Sequence, residues 1–176
     1  MTDNPKPLIM VADDDPAVRL LCEQSLERTA EFEVASFANG AALLDELAER
    51  RPDIVLLDVE MPGIDGYETC RAIRSGPHGA DLPIIMITGN DDADSVNRAY
   101  TLGATDFVSK QIPWTIFPHR IRYVLRASTA FKKAKEAGQR IRTMLQGRRV
   151  RWRQAGTFMG DSLTRGRRLK CVHHHG

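Results

Sequence analysis

Several features are scarce or missing, and each absence narrows the possibilities. No apolar run approaches the roughly 20 residues that a membrane-spanning helix requires, so no membrane association is expected. The opening stretch MTDNPKPLIM lacks the basic-then-apolar order of a secretory signal, which points to the cytoplasm. Cysteines are few: Cys22, Cys70 and Cys171 are an odd set without metal-ligand spacing, and no disulfide is expected. Acidic side chains are scarce at one end only. Residues 1–131 carry 12 Lys or Arg and 21 Asp or Glu, a net of −9, whereas residues 132–176 carry 13 and 2, a net of +11. The formal total of +2 therefore conceals an acidic body and a basic tail. A chain of 176 residues, 42% hydrophobic and 27% charged, suffices for one cored domain with an appendage, not for two full domains.

What is present begins with PLIMVADDDPAVRL, an apolar run that ends in three consecutive aspartates. Two carboxylates about 4 Å apart at an effective dielectric of about 20 repel by roughly 4 kcal/mol. Either the run is a solvated helix start, with Asp15 as N-cap and Pro16 at the first helical position, or a hard divalent cation offsets the repulsion. The second reading needs an acidic partner from elsewhere in the chain.

The rest of the pattern supplies a place for one. Short Val/Ile-rich runs at 8–12, 32–37, 53–58, 83–88 and 106–110 alternate with helical patterns near 16–29, 40–50, 66–75 and 92–102. The first, third and fourth runs are continuously apolar, as strands covered on both faces are. The expected fold class is therefore α/β, a doubly wound five-stranded parallel sheet with an extended C-terminal helix. Ligands of such sheets bind beyond the carboxyl ends of the strands. Asp13, Asp14 and Asp15 follow the first strand, Asp58 ends the third, Thr88 the fourth and Lys110 the fifth, so these residues are expected at one rim.

Four phrases in order, VADDDP, LLDVEMPGIDGYE, PIIMITG and GATDFVSK, resemble the receiver domain of two-component response regulators across about residues 6–127. The resemblance implies the flavodoxin-like receiver fold and transfer of a phosphoryl group from a histidine kinase or phosphotransfer protein, with Mg²⁺ as cofactor. Asp58 would be the phosphoacceptor. Asp14 and Asp58 would bind the metal directly, Asp13 at least partly through water, and Glu60 through its backbone carbonyl, leaving Asp15 as the cap. Lys110 and Thr88 would contact the phosphoryl oxygens. Thr88 and Phe107 would form the switch coupling the site to the face made by the fourth helix, fifth strand and fifth helix; the alternative for Phe107 is a plain packing aromatic. No chemistry beyond the domain's own phosphorylation and dephosphorylation is implied, and a phosphatase of the aspartyl-phosphate type is disfavoured by the lack of room for a cap domain.

Two departures from the family pattern stand out. Gln111 and Ile112 separate Lys110 from Pro113, where most receivers place proline directly after the lysine, and Glu60 sets an acidic side chain two residues after Asp58. The Glu60 side chain is expected to alter the lifetime of the phosphorylated state.

After Pro113 a long helix is expected, with Pro118 in a first turn capped by Thr115. Val124, Ala127, Phe131, Ala134, Gly138, Ile141 and Leu145 alternate by three and four, a coiled-coil seam that suits a homodimer. Residues 128–147 are read as this helical extension and 148–176 as a basic tail, disordered or non-native, whose His173, His174 and His175 read as a tag remnant rather than a metal site. The phrase DFVSKQIPWTIFPHRIRYVLRAS resembles receivers placed ahead of cyclic di-GMP turnover modules, although no such module follows. The alternative function is a nucleic-acid-binding regulator acting through the Arg-rich tail, which the absence of a helix-turn-helix pattern disfavours.

Overall fold

The computed structural model describes residues 5–77, 79–89 and 92–163. Five strands, β1 (Leu8–Ala12), β2 (Glu33–Phe37), β3 (Ile54–Asp58), β4 (Ile84–Thr88) and β5 (Asp106–Ser109), alternate with helices α1 (Pro16–Glu27), α2 (Gly40–Glu49), α3 (Gly66–Ser75), α4 (Ala93–Thr101) and α5 (Phe117–Leu163). All pairings are parallel, in the order β2-β1-β3-β4-β5. The chain thus turns one way from β1 to β2 and the other way from β1 to β3, which opens a crevice at the carboxyl end of β1. Every residue of β1, β3 and β4 is buried, while no residue of β2 is, in keeping with central against edge strands.

Alternate strand residues feed two cores. On one face Met10, Val55, Leu57 and Met86 pack with Leu43 of α2, Tyr67, Cys70 and Ile73 of α3 and Ala99 of α4. On the other, Ile9, Val11, Leu56 and Ile85 pack with Cys22 and Leu26 of α1 and Phe117, Ile121 and Val124 of α5. Burying apolar area on both faces, at about 25 cal/mol per Å², is what holds so short-stranded a sheet together.

Local chemistry sets the helix starts. Asp15 caps α1 by accepting from the Ala17 N–H at 2.8 Å, with Pro16 inside the first turn. Asn39 caps α2, and Asp65 with Glu68 forms a reciprocal capping box at α3. The expected Thr115 cap is not what begins α5: a turn held by the Ile116 N–H on the Pro113 carbonyl precedes Phe117, so Thr115 lies in the turn and Pro118 in the first helical turn.

Two further expectations are revised. Val124 is 5% exposed and belongs to the sheet's core, so it is not free to join a seam. The helix also continues past residue 147 to Leu163, where no proline interrupts it. For β1–β5 and α1–α4, expected ends differ from the observed ones by at most two residues, as at α1, where the Arg28 N–H closes the helix on the Gln24 carbonyl. Two units are distinguished, Met1–Ala130 and Phe131–Gly176. In the second, Phe131, Ile141, Met144 and Leu145 are exposed. The C-terminal histidines lie outside the described residues.

Candidate functional site

The strands deliver their terminal residues to one rim. Asp13 follows β1, held by its N–H on the Phe37 carbonyl at 3.2 Å, and Asp58 is the last residue of β3, opposite Ile87 of β4. Lys110 follows β5, its N–H donating to the Thr88 carbonyl at 2.7 Å. The Lys110 Nζ lies 2.9 Å from Asp13 Oδ2 and 3.0 Å from Asp58 Oδ2. One ammonium therefore bridges two carboxylates that are only 2% and 3% exposed.

Asp14, which faces solvent, completes a set in which one carboxylate oxygen from each of Asp13, Asp14 and Asp58 lies within 4.8 Å of the others. Asp15 does not join it. Its N–H donates to Asp13 Oδ1 at 2.9 Å, fixing that carboxylate, while its side chain serves as the helix cap. The opening run of aspartates is thus divided between two duties.

Electrostatics follow from one ammonium shared by two buried carboxylates, with the exposed Asp14 beside them. Burial pushes the Asp58 carboxyl up from 3.8 to about 6 against the hydrogen bond from Lys110, with the charge of Asp13 adding to the rise and the backbone N–H of Glu60 opposing it. Burial pulls the Lys110 ammonium down, but its hydrogen bonds to Asp13 and Asp58 and their charges outweigh that, and its pKa is raised. Both partners move upward for different reasons, because the lysine has two carboxylates and Asp58 only a share of one lysine. The cluster keeps a net negative charge, all of it on hard oxygen donors facing an exposed opening at Asp14, and that donor set fits a small divalent cation. Nearby, burial, and then the charge of Asp13, push the Cys22 thiol up to about 12, which leaves it a packing group rather than a nucleophile.

The loop after β3 has to return close to Asp58. Gly63 sits at φ +85, in the left-handed region that favours glycine. A Cβ on Gly66 would meet the Asp58 carbonyl oxygen at 2.1 Å, so only glycine lets α3 start against the backbone of the acidic residue. Sequence reading missed this contact, for which the Gly-x-x-Gly spacing of residues 63–66 was the available signal.

The remaining expected site residues are distributed as follows. Thr88 is buried at the end of β4 and 1% exposed. Phe107 is partly buried, packed against the core on the α2, α3 and α4 face. Glu60 is exposed, with its N–H directed to Asp58. Gln111 takes a hydrogen bond to Ser109 Oγ through its N–H at 3.3 Å, and no cis peptide occurs among the described residues. Arg19, not singled out from the sequence, donates from Nη1 to the carbonyls of Asp13 at 2.7 Å and Asp14 at 3.0 Å. A cation one turn into a helix that follows three carboxylates was the signal for it.

Comparison with known proteins bears on the same region. The chain is 42% identical over 120 residues to the transcriptional regulatory protein AfsQ1 of Streptomyces coelicolor, covering 68% of this chain and 52% of that protein. It is 40% identical over 124 residues to the response regulator MprA of Mycolicibacterium vanbaalenii, covering 69% and 51%. The chain thus spans about half the length of these curated relatives. Among solved structures, a putative response regulator from Chloroflexus aurantiacus superposes with a TM-score of 0.65 at 31% identity, over 69% of this chain and 99% of that one. The BeF3-activated DrrB receiver domain superposes with a TM-score of 0.63 at 29% identity, over 69% and 99%. The proposed association with cyclic di-GMP modules has no counterpart among these named relatives. Residues 9–122, the whole span from β1 into α5 that builds the acidic rim, match the response regulator receiver domain, and the chain belongs to that family.

Proposed function

We propose that Asp58 accepts a phosphoryl group from the phosphohistidine of a histidine kinase or phosphotransfer protein in the cytoplasm. The observation that supports this most is the Lys110 ammonium held between Asp13 and Asp58 at 2.9 and 3.0 Å. An Asp58 oxygen forms the new O–P bond while the N–P bond breaks. The departing imidazole nitrogen keeps that electron pair and takes a proton. Carboxylate is a weak nucleophile, so orientation and charge neutralisation carry the reaction more than proton transfer.

Asp13, Asp14, Asp58 and the Glu60 carbonyl are the groups assigned to Mg²⁺, which when bound supplies positive charge to the transferring phosphoryl oxygens. Lys110 shifts from neutralising carboxylates to pairing with the phosphoryl group, and the Thr88 hydroxyl donates to it. Phosphorylation adds roughly −1.5 to −2 charges at pH 7. Thr88 drawn toward that charge vacates space for Phe107, whose inward rotation alters the α4, β5 and α5 face by packing alone. Incubation with acetyl phosphate and MgCl₂ should give a covalent adduct on the wild type and none on Asp58→Asn; an adduct retained by the variant overturns the assignment of Asp58.

The helical extension is assigned to a homodimer. With Val124 committed to the core, the available stripe comprises Ala127, Phe131, Ala134, Gly138, Ile141 and Leu145, the first six positions of a seam after its expected start. Lys135 and Arg142 flank it on one side, Ala130, Ala137 and Met144 on the other. In an antiparallel pair the basic flanks would face each other. In a parallel pair each meets the apolar flank of its partner, so the parallel arrangement is favoured. Sedimentation should show a dimer that Ile141→Asp returns to monomer; a wild-type chain that is monomeric at high concentration removes this assignment. The output such a dimer controls is a partner or a further domain.

A further inference from the structure

Arg19 lies in the first turn of α1, at the positive end of the helix dipole, where the carboxylate of the Asp15 cap offsets the cost of a cation. Its side chain runs back over the cap to reach the loop that the helix follows. There a single nitrogen, Nη1, holds two consecutive carbonyls, those of Asp13 at 2.7 Å and Asp14 at 3.0 Å. The loop has further constraints: the Asp15 N–H fixes Asp13 Oδ1, and Lys110 fixes Asp13 Oδ2. For Asp14 the side chain is exposed and its carbonyl is the group that Arg19 ties down. A side chain that holds two consecutive carbonyls of the acidic loop fixes the backbone from which the Asp14 carboxylate projects.

We propose that Arg19 is a positioning residue for the metal-binding loop: by gripping the Asp13 and Asp14 carbonyls it keeps the Asp14 carboxylate turned toward Asp13 and Asp58, ready for a divalent cation. This rests on the Mg²⁺ reading given above. The role has a signature that a plain charge would not produce. A guanidinium near a cation site repels the cation, so removing its charge would strengthen Mg²⁺ binding if proximity were all that mattered. Removing a grip on the loop weakens binding, because Asp14 then has to be ordered when the metal arrives. The two roles predict opposite signs.

The experiment titrates MgCl₂ alone into full-length wild type, Arg19→Met and Arg19→Lys, following backbone amide shifts and heat, with unfolding midpoints recorded in EDTA. Met keeps the length and apolar stem of the side chain without donors. Expected is Mg²⁺ affinity at least fivefold weaker in Arg19→Met, partial recovery in Arg19→Lys, and amide shift changes in EDTA confined to residues 13–19. Equal or tighter affinity in Arg19→Met overturns the proposal, and so does a lowered midpoint with unchanged affinity, which marks a structural role only. Should Arg19→Met not fold, Arg19→Lys decides, since wild-type affinity in it shows that charge without the guanidinium is enough. A wild type that binds no Mg²⁺ refutes the metal reading itself, a different result from equal binding by wild type and variant.

Discussion

Helices α3 and α4 cover the same face of the sheet, side by side, yet they are fastened to it in different ways. Gly66, Tyr67, Thr69, Cys70 and Ile73 of α3 are buried, whereas Ala99 is the one buried residue of α4. The start of α3 touches the Asp58 backbone through Gly66, and its last turn is held by Arg74, whose guanidinium donates to the carbonyls of Leu82 and Gly103. For α4 the polar ties run to α3 instead of to the sheet. Tyr67 donates its hydroxyl to the Ser95 carbonyl at 3.1 Å, and the Arg98 guanidinium lies 4.0 Å from the centre of the Tyr67 ring. A helix with one small buried anchor can shift at low cost, and one with five cannot. The contrast gives each a task under the proposed function: α3 keeps the acceptor in place, and α4 responds to it.

The largest expected effect comes from breaking the firm side. In Gly66→Ala the added Cβ would overlap the Asp58 carbonyl oxygen, a backbone atom that cannot rotate away. The loss should reach at least about 3 kcal/mol in denaturant unfolding, the top of the range for overpacking. Phosphorylation at Asp58 should fall with it, even at temperatures where the variant is folded. A stable variant that is phosphorylated normally would show that α3 does not set the acceptor's position.

A smaller effect tests what that firm placement imposes on Asp58. Its carboxyl titrates at about 6 in the fold against 3.8 ordinarily, so the ionised form is disfavoured by folding. Stability is therefore highest below pH 4 as far as this group is concerned, and is lost as pH rises through about 6. Each unit is worth about 1.4 kcal/mol; the value of about 6 already includes the opposing hydrogen bond from Lys110, and the buried amide of the Asn variant forfeits part of the gain. Metal-free Asp58→Asn should accordingly be roughly 2 kcal/mol more stable than wild type at pH 8. The advantage should shrink between pH 6 and pH 4, as read by urea unfolding in EDTA. An advantage that does not change with pH would mean that the carboxylate is not strained by its burial.

Much of this was legible beforehand, and the exceptions have physical reasons. The runs that became β1, β3 and β4 are continuously apolar because both faces are covered, so their positions followed from pattern alone, as did the rim that gathers Asp13, Asp58 and Lys110. Val124 was misassigned because spacing by three and four is the same whether a helix faces its own sheet or a partner. The contacts of Arg19 and Gly66 are with backbone carbonyls, so the sequence carried only indirect signals, a cation after three carboxylates and the Gly-x-x-Gly spacing, and not the partners. The weak anchoring of α4 was equally hidden. VNRAY of residues 96–100 reads as an ordinary amphipathic segment, and only the packing shows that Ala99 alone is enclosed.

The smallest expected effect concerns the tie between the two helices, and it is the sharpest test of the contrast. Arg98 has an exposed side chain and stands 4.0 Å from Asp65 as well as over Tyr67. Exposed cation–π contacts and ion pairs each contribute about 0.5–1 kcal/mol or less, so Arg98→Ala should lower global stability by no more than about 1 kcal/mol. If α4 depends on α3 for its attachment, the loss should still be concentrated. Amides of residues 96–102 should exchange several-fold faster, while those of residues 69–75 keep the wild-type rate. Equal acceleration in both segments would show that the helices open as one unit, and the division between a fixed α3 and a responsive α4 would fail. Unchanged exchange in both would mean that Ala99, the Tyr67 hydroxyl and the ties of Cys70 and Arg74 to the Leu102 and Gly103 carbonyls hold α4 without Arg98, which makes Tyr67→Phe the next variant to test its attachment.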